Sequence, residues 1–72
     1  MDYGDRIFQL RKSHGLTRKQ LAVSTGMSEE SVKCYERRSS KPAYDGLMSL
    51  ANFFNVSIDY LVGRSNNPAR LP

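Results

Sequence analysis

Residues 17–31 constrain the fold of this chain more than any other stretch, because they start a helix, stop it and start a second. Thr17-Arg18-Lys19-Gln20 reads as a capping box. The threonine hydroxyl takes a free backbone N–H of the first turn, and the glutamine three residues on reaches back to the cap. Leu21 and Ala22 then face inward, and Gly26 ends the helix. Ser28 is a good N-cap for the next helix. Glu29 and Glu30 follow in its first turn, where the helix dipole favours acids. Two helices therefore meet across a turn of three residues, Gly26-Met27-Ser28.

The same punctuation organises the rest. Tyr3, Ile7, Leu10 and His14 recur at helical spacing, and Gly15 follows, which predicts a first helix over 3–14. In the third helix, stepping about 100° per residue puts Ser28, Ser31, Val32 and Tyr35 on one side. Glu30, Lys33 and Arg37 fall opposite, so one face packs and the other carries charge. Residues 38–42 form a basic loop, in which Pro42 pushes Lys41 away from helical geometry. Leu47, Leu50, Ala51 and Phe54 mark a fourth helix over 44–55. Ser57 caps a short fifth over 58–62, with Ile58, Leu61 and Val62 inward and Gly63 as its stop. Residues 64–72 have no period and read as a tail or linker. No segment sustains a period of two. The expected fold class is all-α, five helices around one core in a single domain over 3–63.

Length and composition bound what such a domain does. At 72 residues there is room for one small core and none for a separate catalytic domain. No apolar run approaches the roughly 18 residues of a membrane span, and the N-terminus does not read as a signal peptide, so a cytoplasmic location is expected. Cys34 is the single cysteine and His14 the single histidine, too few for an internal disulfide or a four-ligand zinc site. No cofactor is implied. The net charge is +4, and residues 1–43 carry all of the surplus, with nine basic side chains against five acidic ones. An anionic partner would meet that part first.

Two helices joined by a short turn containing glycine make a helix-turn-helix. In DNA-binding versions the second helix enters the major groove, which admits one α-helix, while the first lies across the phosphate backbone. The chain resembles the phage-repressor and Cro-type helix-turn-helix domains, also called the xenobiotic-response-element type. Leu10-Arg11, Gly15-Leu16-Thr17, Gln20-Leu21-Ala22, Gly26-Met27-Ser28, Val32, Tyr35-Glu36-Arg37 and Pro42 carry the likeness. Leu47, Leu50-Ala51 and Val56-Ser57-Ile58-Asp59-Tyr60-Leu61 continue it. The resemblance implies a five-helix, lambda-repressor-like domain that binds double-stranded operator DNA, usually as a homodimer, in transcriptional control.

Residue roles follow from the resemblance one by one. It implies phosphate contacts for Arg18 and Lys19, and places Ser28, Glu29 and Glu30 at the start of the recognition helix. Lys33, Cys34 and Arg37 follow on that helix's exposed side, and Arg38 and Lys41 lie in the loop beside the backbone. Arg11 and Glu36 resemble the family's buried ion pair. The family often has glycine where this chain has Arg38; a left-handed cap there would be strained, so a different loop is expected. Glu29 and Glu30 oppose phosphate. Glu30 is a candidate reader of cytosine N4, whereas Glu29 and Lys33, four apart, also suit a simple helix pair. Arg6, Lys12 and Arg64 read as solvated charges. Cys34 reads as a tolerated small residue, with a redox role the sharper alternative.

Phe53 and Tyr60 fall outside their helices' inward stripes and are the candidate dimer contacts. The leading expectation is a transcriptional regulator, a repressor on a palindromic operator. The alternative is a protein-interaction module, such as the antitoxin of a toxin pair, or a domain with some other protein partner. No constellation of nucleophile and base and no phosphate loop supports an enzyme.

Overall fold

Caps decide where each helix begins. In the computed structural model, which describes residues 1–69, these are α1 (Tyr3–Ser13), α2 (Arg18–Thr25), α3 (Glu29–Glu36), α4 (Tyr44–Phe54) and α5 (Ile58–Leu61). The described residues contain no strand. Asp2, Thr17, Ser28 and Ser57 each accept, through the side chain, a backbone N–H of the first turn. Thr17 and Gln20 form a reciprocal box, with Thr17 N donating to Gln20 Oε1 at 2.9 Å. A Ser, Thr or Asp cap stabilises a helix by about 1 kcal/mol, which matters for helices of eight residues and fewer that do not hold alone. Only α4 starts without one, at Ala43. Gly26 ends α2 at φ 73°, a left-handed conformation that lets Met27 N reach back to Ala22 O and point the chain into α3.

The helices bury one core of Ile7, Leu10, Leu21, Ala22, Val32, Leu50, Ala51, Phe54, Val56 and Leu61. Every helix contributes to it. Burying each large aliphatic side chain stabilises the fold by about 1.5–3 kcal/mol. Backbones approach closely at Gly4, where a Cβ would stand 2.9 Å from Glu36 O and 3.0 Å from Tyr35 O. The first turn of α1 is thus pressed against the end of α3. Beyond α5, Arg64 N and Ser65 N donate to Asp59 O, and Ser57 N donates to Pro68 O. Residues 64–69 of the expected tail therefore fold back over α5, and 70–72 lie outside the described residues.

Two expectations about individual side chains need correction. Arg6 is not solvated: it is 5% exposed and lies over the Tyr60 ring, 3.8 Å from its centroid. Its Nε has no hydrogen-bond partner. Tyr60 is accordingly not an exposed aromatic but a half-buried one packed on the core. The loop after α3 keeps the left-handed step despite lacking glycine there, since Arg38 adopts φ 61°. That conformation costs an L-residue roughly 1–2 kcal/mol. It persists because the side chain is held at both its stem and its head.

Candidate nucleic-acid interface

The candidate interface begins at the turn. Ser28 accepts from Ser31 N at 3.1 Å and donates to Ser31 Oγ at 2.9 Å, so its hydroxyl fixes the start of α3. Glu29 and Glu30 follow at that start and are exposed. Together with Arg18 and Lys33 they line one shallow depression between α2 and α3. Two acids and two bases thus share a floor at the end of α3 that would lead into a groove. The Glu29–Lys33 helix pair is not formed: neither residue, nor Glu30, takes part in an ion pair among the described residues. Glu30 instead accepts from the Cys34 thiol, one turn on, at 3.5 Å.

Around α3 lie the cations. Lys19, Arg37, Arg38 and Lys41 are exposed, and Lys33 is half-buried. Five of the ten candidate contact residues are already engaged with this chain's own groups: Ser28 in its cap, Arg18 and Arg38 in ion pairs, and Glu30 and Cys34 with each other. Arg11 donates from Nε to Glu36 Oε2 at 2.6 Å and from Nη2 to Oε1 at 3.1 Å, the two-point geometry that suits guanidinium and carboxylate. A third Arg11 nitrogen, Nη1, donates to Leu16 O at 2.9 Å. Arg18 then adds its Nε to Glu36 Oε1 at 3.1 Å. The Glu36 side chain is 2% exposed and that of Arg18 is 32% exposed. Arg18 is held by its inner nitrogen, which leaves the outer ones to meet an anion. Local sequence gave no sign that Arg18 joins this pair, because Glu36 lies 18 positions on.

Arg38 takes a different course. It pairs with Asp2 through Nε at 3.5 Å and with Asp5 through Nη1 at 3.2 Å, turning back toward α1. The Asp5 N–H, and then the charge of Arg38, hold the Asp2 carboxyl below its usual value of 3.8 against an opposing contribution from desolvation. Tyr3 Oη donates to Ser40 O at 3.1 Å and ties the same loop down. Lys41 lies beside an apolar groove formed with Tyr3, Pro42, Leu47 and Val62.

Of the two candidate dimer contacts, Phe53 is 37% exposed and packs edge-on against Phe54, while Tyr60 lies under Arg6. More exposed apolar side chains lie elsewhere, at positions that the sequence pattern does not single out. Val23 is 76% exposed and Tyr44 68%. The described residues hold no cluster of metal-ligating side chains, and no helix among them is long and apolar enough to cross a membrane.

Comparison with known proteins agrees with this geometry. Residues 7–61 match the family model described as helix-turn-helix. The uncharacterized HTH-type transcriptional regulator YobD of Bacillus subtilis (strain 168) is 44% identical over 66 residues, covering 92% of this chain and 59% of that protein. ImmR, an HTH-type transcriptional regulator of the same organism, is 36% identical over 64 residues, covering 89% of this chain and 50% of its own length. The chain therefore spans between half and three-fifths of these relatives. Among solved structures, the P22 c2 repressor in complex with a synthetic operator superposes with a TM-score of 0.84 at 26% identity, covering 90% of this chain and 98% of that one. Five helices, a glycine turn between α2 and α3, and these likenesses agree: the chain belongs to the helix-turn-helix family of transcriptional regulators.

Proposed function

We propose that this chain binds double-stranded DNA with sequence preference, as the reading head of a transcriptional repressor. In this reading α3 lies in the major groove. Glu29, Glu30, Lys33 and Cys34 face base edges, while Arg18, Lys19, Arg37, Arg38 and Lys41 meet phosphates. The observation that carries the reading is the polar face of α3, flanked at its start by Arg18 and followed past its end by exposed Arg37 and Lys41. Basic side chains at both ends of a short helix suit two phosphate ribbons on either side of a groove. The P22 c2 repressor, similar throughout its length, is described in complex with an operator.

Glu30 is the proposed reader of a C·G pair, because an exposed carboxylate accepts from cytosine N4. The Cys34 thiol at 3.5 Å biases the carboxylate's orientation before it meets a base. The experiment is selection from random duplex DNA with wild type and Glu30→Ala in parallel. Enrichment of one motif by wild type, relaxed at a single position by Glu30→Ala, is the expected result. If wild type enriches nothing, reading of DNA by this chain alone fails, and a protein partner becomes the better account.

Two copies are proposed to bind a roughly palindromic site, with α3 of each in successive major grooves about 34 Å apart. Phe53 is the contact that remains exposed for this pairing. Sedimentation of the protein with its selected duplex tests it. Two chains per site, falling toward one with Phe53→Ser, are expected; one chain per site in wild type ends the dimer reading.

A further inference from the structure

We infer that Asp2 and Asp5 set the strength and salt dependence of DNA binding by occupying the Arg38 guanidinium in the place of phosphate. The inference rests on the DNA-binding reading above and goes beyond it, because it assigns a role to two acids on the first turn of α1.

The backbone fixes where Arg38 points. Its φ of 61° sends the side chain off the end of α3 in a direction the helix itself does not offer. A left-handed arginine persists only when its surroundings hold it there. Here Cγ lies 2.8 Å from where a Gly4 Cβ would stand, so the stem fills the notch that the missing side chain leaves. Running along α1, the stem delivers the guanidinium to the carboxylates at positions 2 and 5.

The head of Arg38 is met as a phosphate would meet it. Nε faces Asp2 Oδ2 at 3.5 Å and Nη1 faces Asp5 Oδ1 at 3.2 Å. One hydrogen bond, from Nη1 to Asp5, and one ion-pair contact, from Nε to Asp2, thus set anionic oxygens around one guanidinium, where a phosphate's oxygens would otherwise sit. One of the two acids has a hold of its own, since Asp2 Oδ1 accepts the Asp5 N–H at 3.0 Å as the cap of α1. All three side chains are open to solvent, at 49% for Arg38, 46% for Asp2 and 54% for Asp5. Exposed pairs of this kind are weak and salt-sensitive, so a competing anion displaces them. Neither Arg37 nor Lys41, the neighbouring exposed cations, has an ion-pair partner among the described residues. Arg38 is the cation in this loop with an internal competitor.

DNA binding at this corner therefore exchanges one anion for another. The gain from a phosphate is reduced by the pair that is broken, and counterion release is offset because a freed carboxylate recruits a cation. Removing the competitor reverses both effects.

The test is a double-mutant cycle on the selected duplex across a salt series. The proteins are wild type, Asp5→Asn, Arg38→Gln and the double variant, with Asp45→Asn as the control for net charge. Gln keeps the Cβ and Cγ stem beside Gly4, and thermal melts verify that every variant folds. Asp5→Asn is expected to tighten binding about two- to fivefold, the size of an exposed ion pair. The slope of log K on log salt should steepen by up to about 0.9, one further phosphate neutralised. In the Arg38→Gln background the gain should shrink to that of Asp45→Asn. An Asp5→Asn gain that survives intact without Arg38, or that only equals the Asp45→Asn gain in wild type, overturns the inference while DNA binding stands. Failure of wild type to retain any duplex at low salt is a different result, because it removes the DNA-binding reading and this inference with it.

Discussion

Two ion clusters meet at the end of α3, and they are mirror images. In the inner one a single acid, Glu36, gathers two arginines from α1 and α2. In the outer one a single arginine, Arg38, gathers two acids from α1. The inner separations are the shorter, 2.6 and 3.1 Å against 3.2 and 3.5 Å outside, but the larger difference is in the surroundings. The Glu36 side chain is 2% exposed, whereas every member of the outer cluster is about half exposed. Charges taken out of water bind hard because each has nowhere else to go. Charges left in water bind weakly and exchange freely. The inner cluster is therefore architecture that also steadies Arg18, and the outer one is adjustable.

The contrast breaks most visibly with Glu36→Ala. It strands the buried Arg11 and should cost about 3–5 kcal/mol. Against a typical total of roughly 5–15 kcal/mol, that loss leaves little margin. Urea unfolding reads it directly, and a loss below about 1 kcal/mol would mean that the inner cluster is no stronger than the outer.

Replacing both charges, Arg11→Met with Glu36→Leu, should be far milder than Glu36→Ala, and such swaps can stabilise by about 1–4 kcal/mol. DNA affinity should nevertheless fall, because Arg18 loses the carboxylate oxygen that fixes its Nε. Retained stability with unchanged affinity would show that Arg18 needs no such support.

Arg38→Gly probes the outer cluster and should move stability by no more than about 1 kcal/mol in either direction. Relief of the left-handed backbone, roughly 1–2 kcal/mol, is offset by the chain entropy of glycine and by the lost ion pair. A destabilisation of several kcal/mol would place the outer cluster in the same class as the inner.

The smallest effect concerns acid. The Asp2 carboxyl titrates below 3.8 in the folded protein, so its contribution is fully present above that pH. The contribution fades as pH falls from 3.8 through the lowered value, and Asp2→Asn should flatten the stability profile only in that window. Fading that begins at neutral pH would point to a group other than Asp2.

Most of the local punctuation was legible in the sequence, the Asp2 cap and the left-handed step at Arg38 excepted. Thr17, Gln20, Gly26 and Ser28 each act through a neighbour no more than a turn or two away, and their residue types announce the role. The Arg11–Glu36 pair was legible only through likeness to a family, since no local rule joins residues 25 positions apart. The links from Arg18 to Glu36 and from Arg38 to Asp2 and Asp5 had no such guide. Arg6 was misread by residue type although its position carried a signal. At about 100° per residue it falls some 40° from Leu10, inside the apolar stripe of α1. Tyr60 was misread for the complementary reason. A four-residue helix is too short for its phase to decide exposure, and the side chain that covers its ring comes from α1.

Gly4 gives the last consequence. The absence of one methyl group lets α1 seat against the carbonyls of Tyr35 and Glu36, and it opens the notch where the Arg38 stem lies. Tyr3, Asp5 and Arg11 ride on the same rod, so the depth at which it seats sets three separate attachments to the loop and the end of α3. Position 4 thus works as a mechanical stop. A larger residue there would shim the rod outward and retune three attachments in one step, with none of their own residues changed.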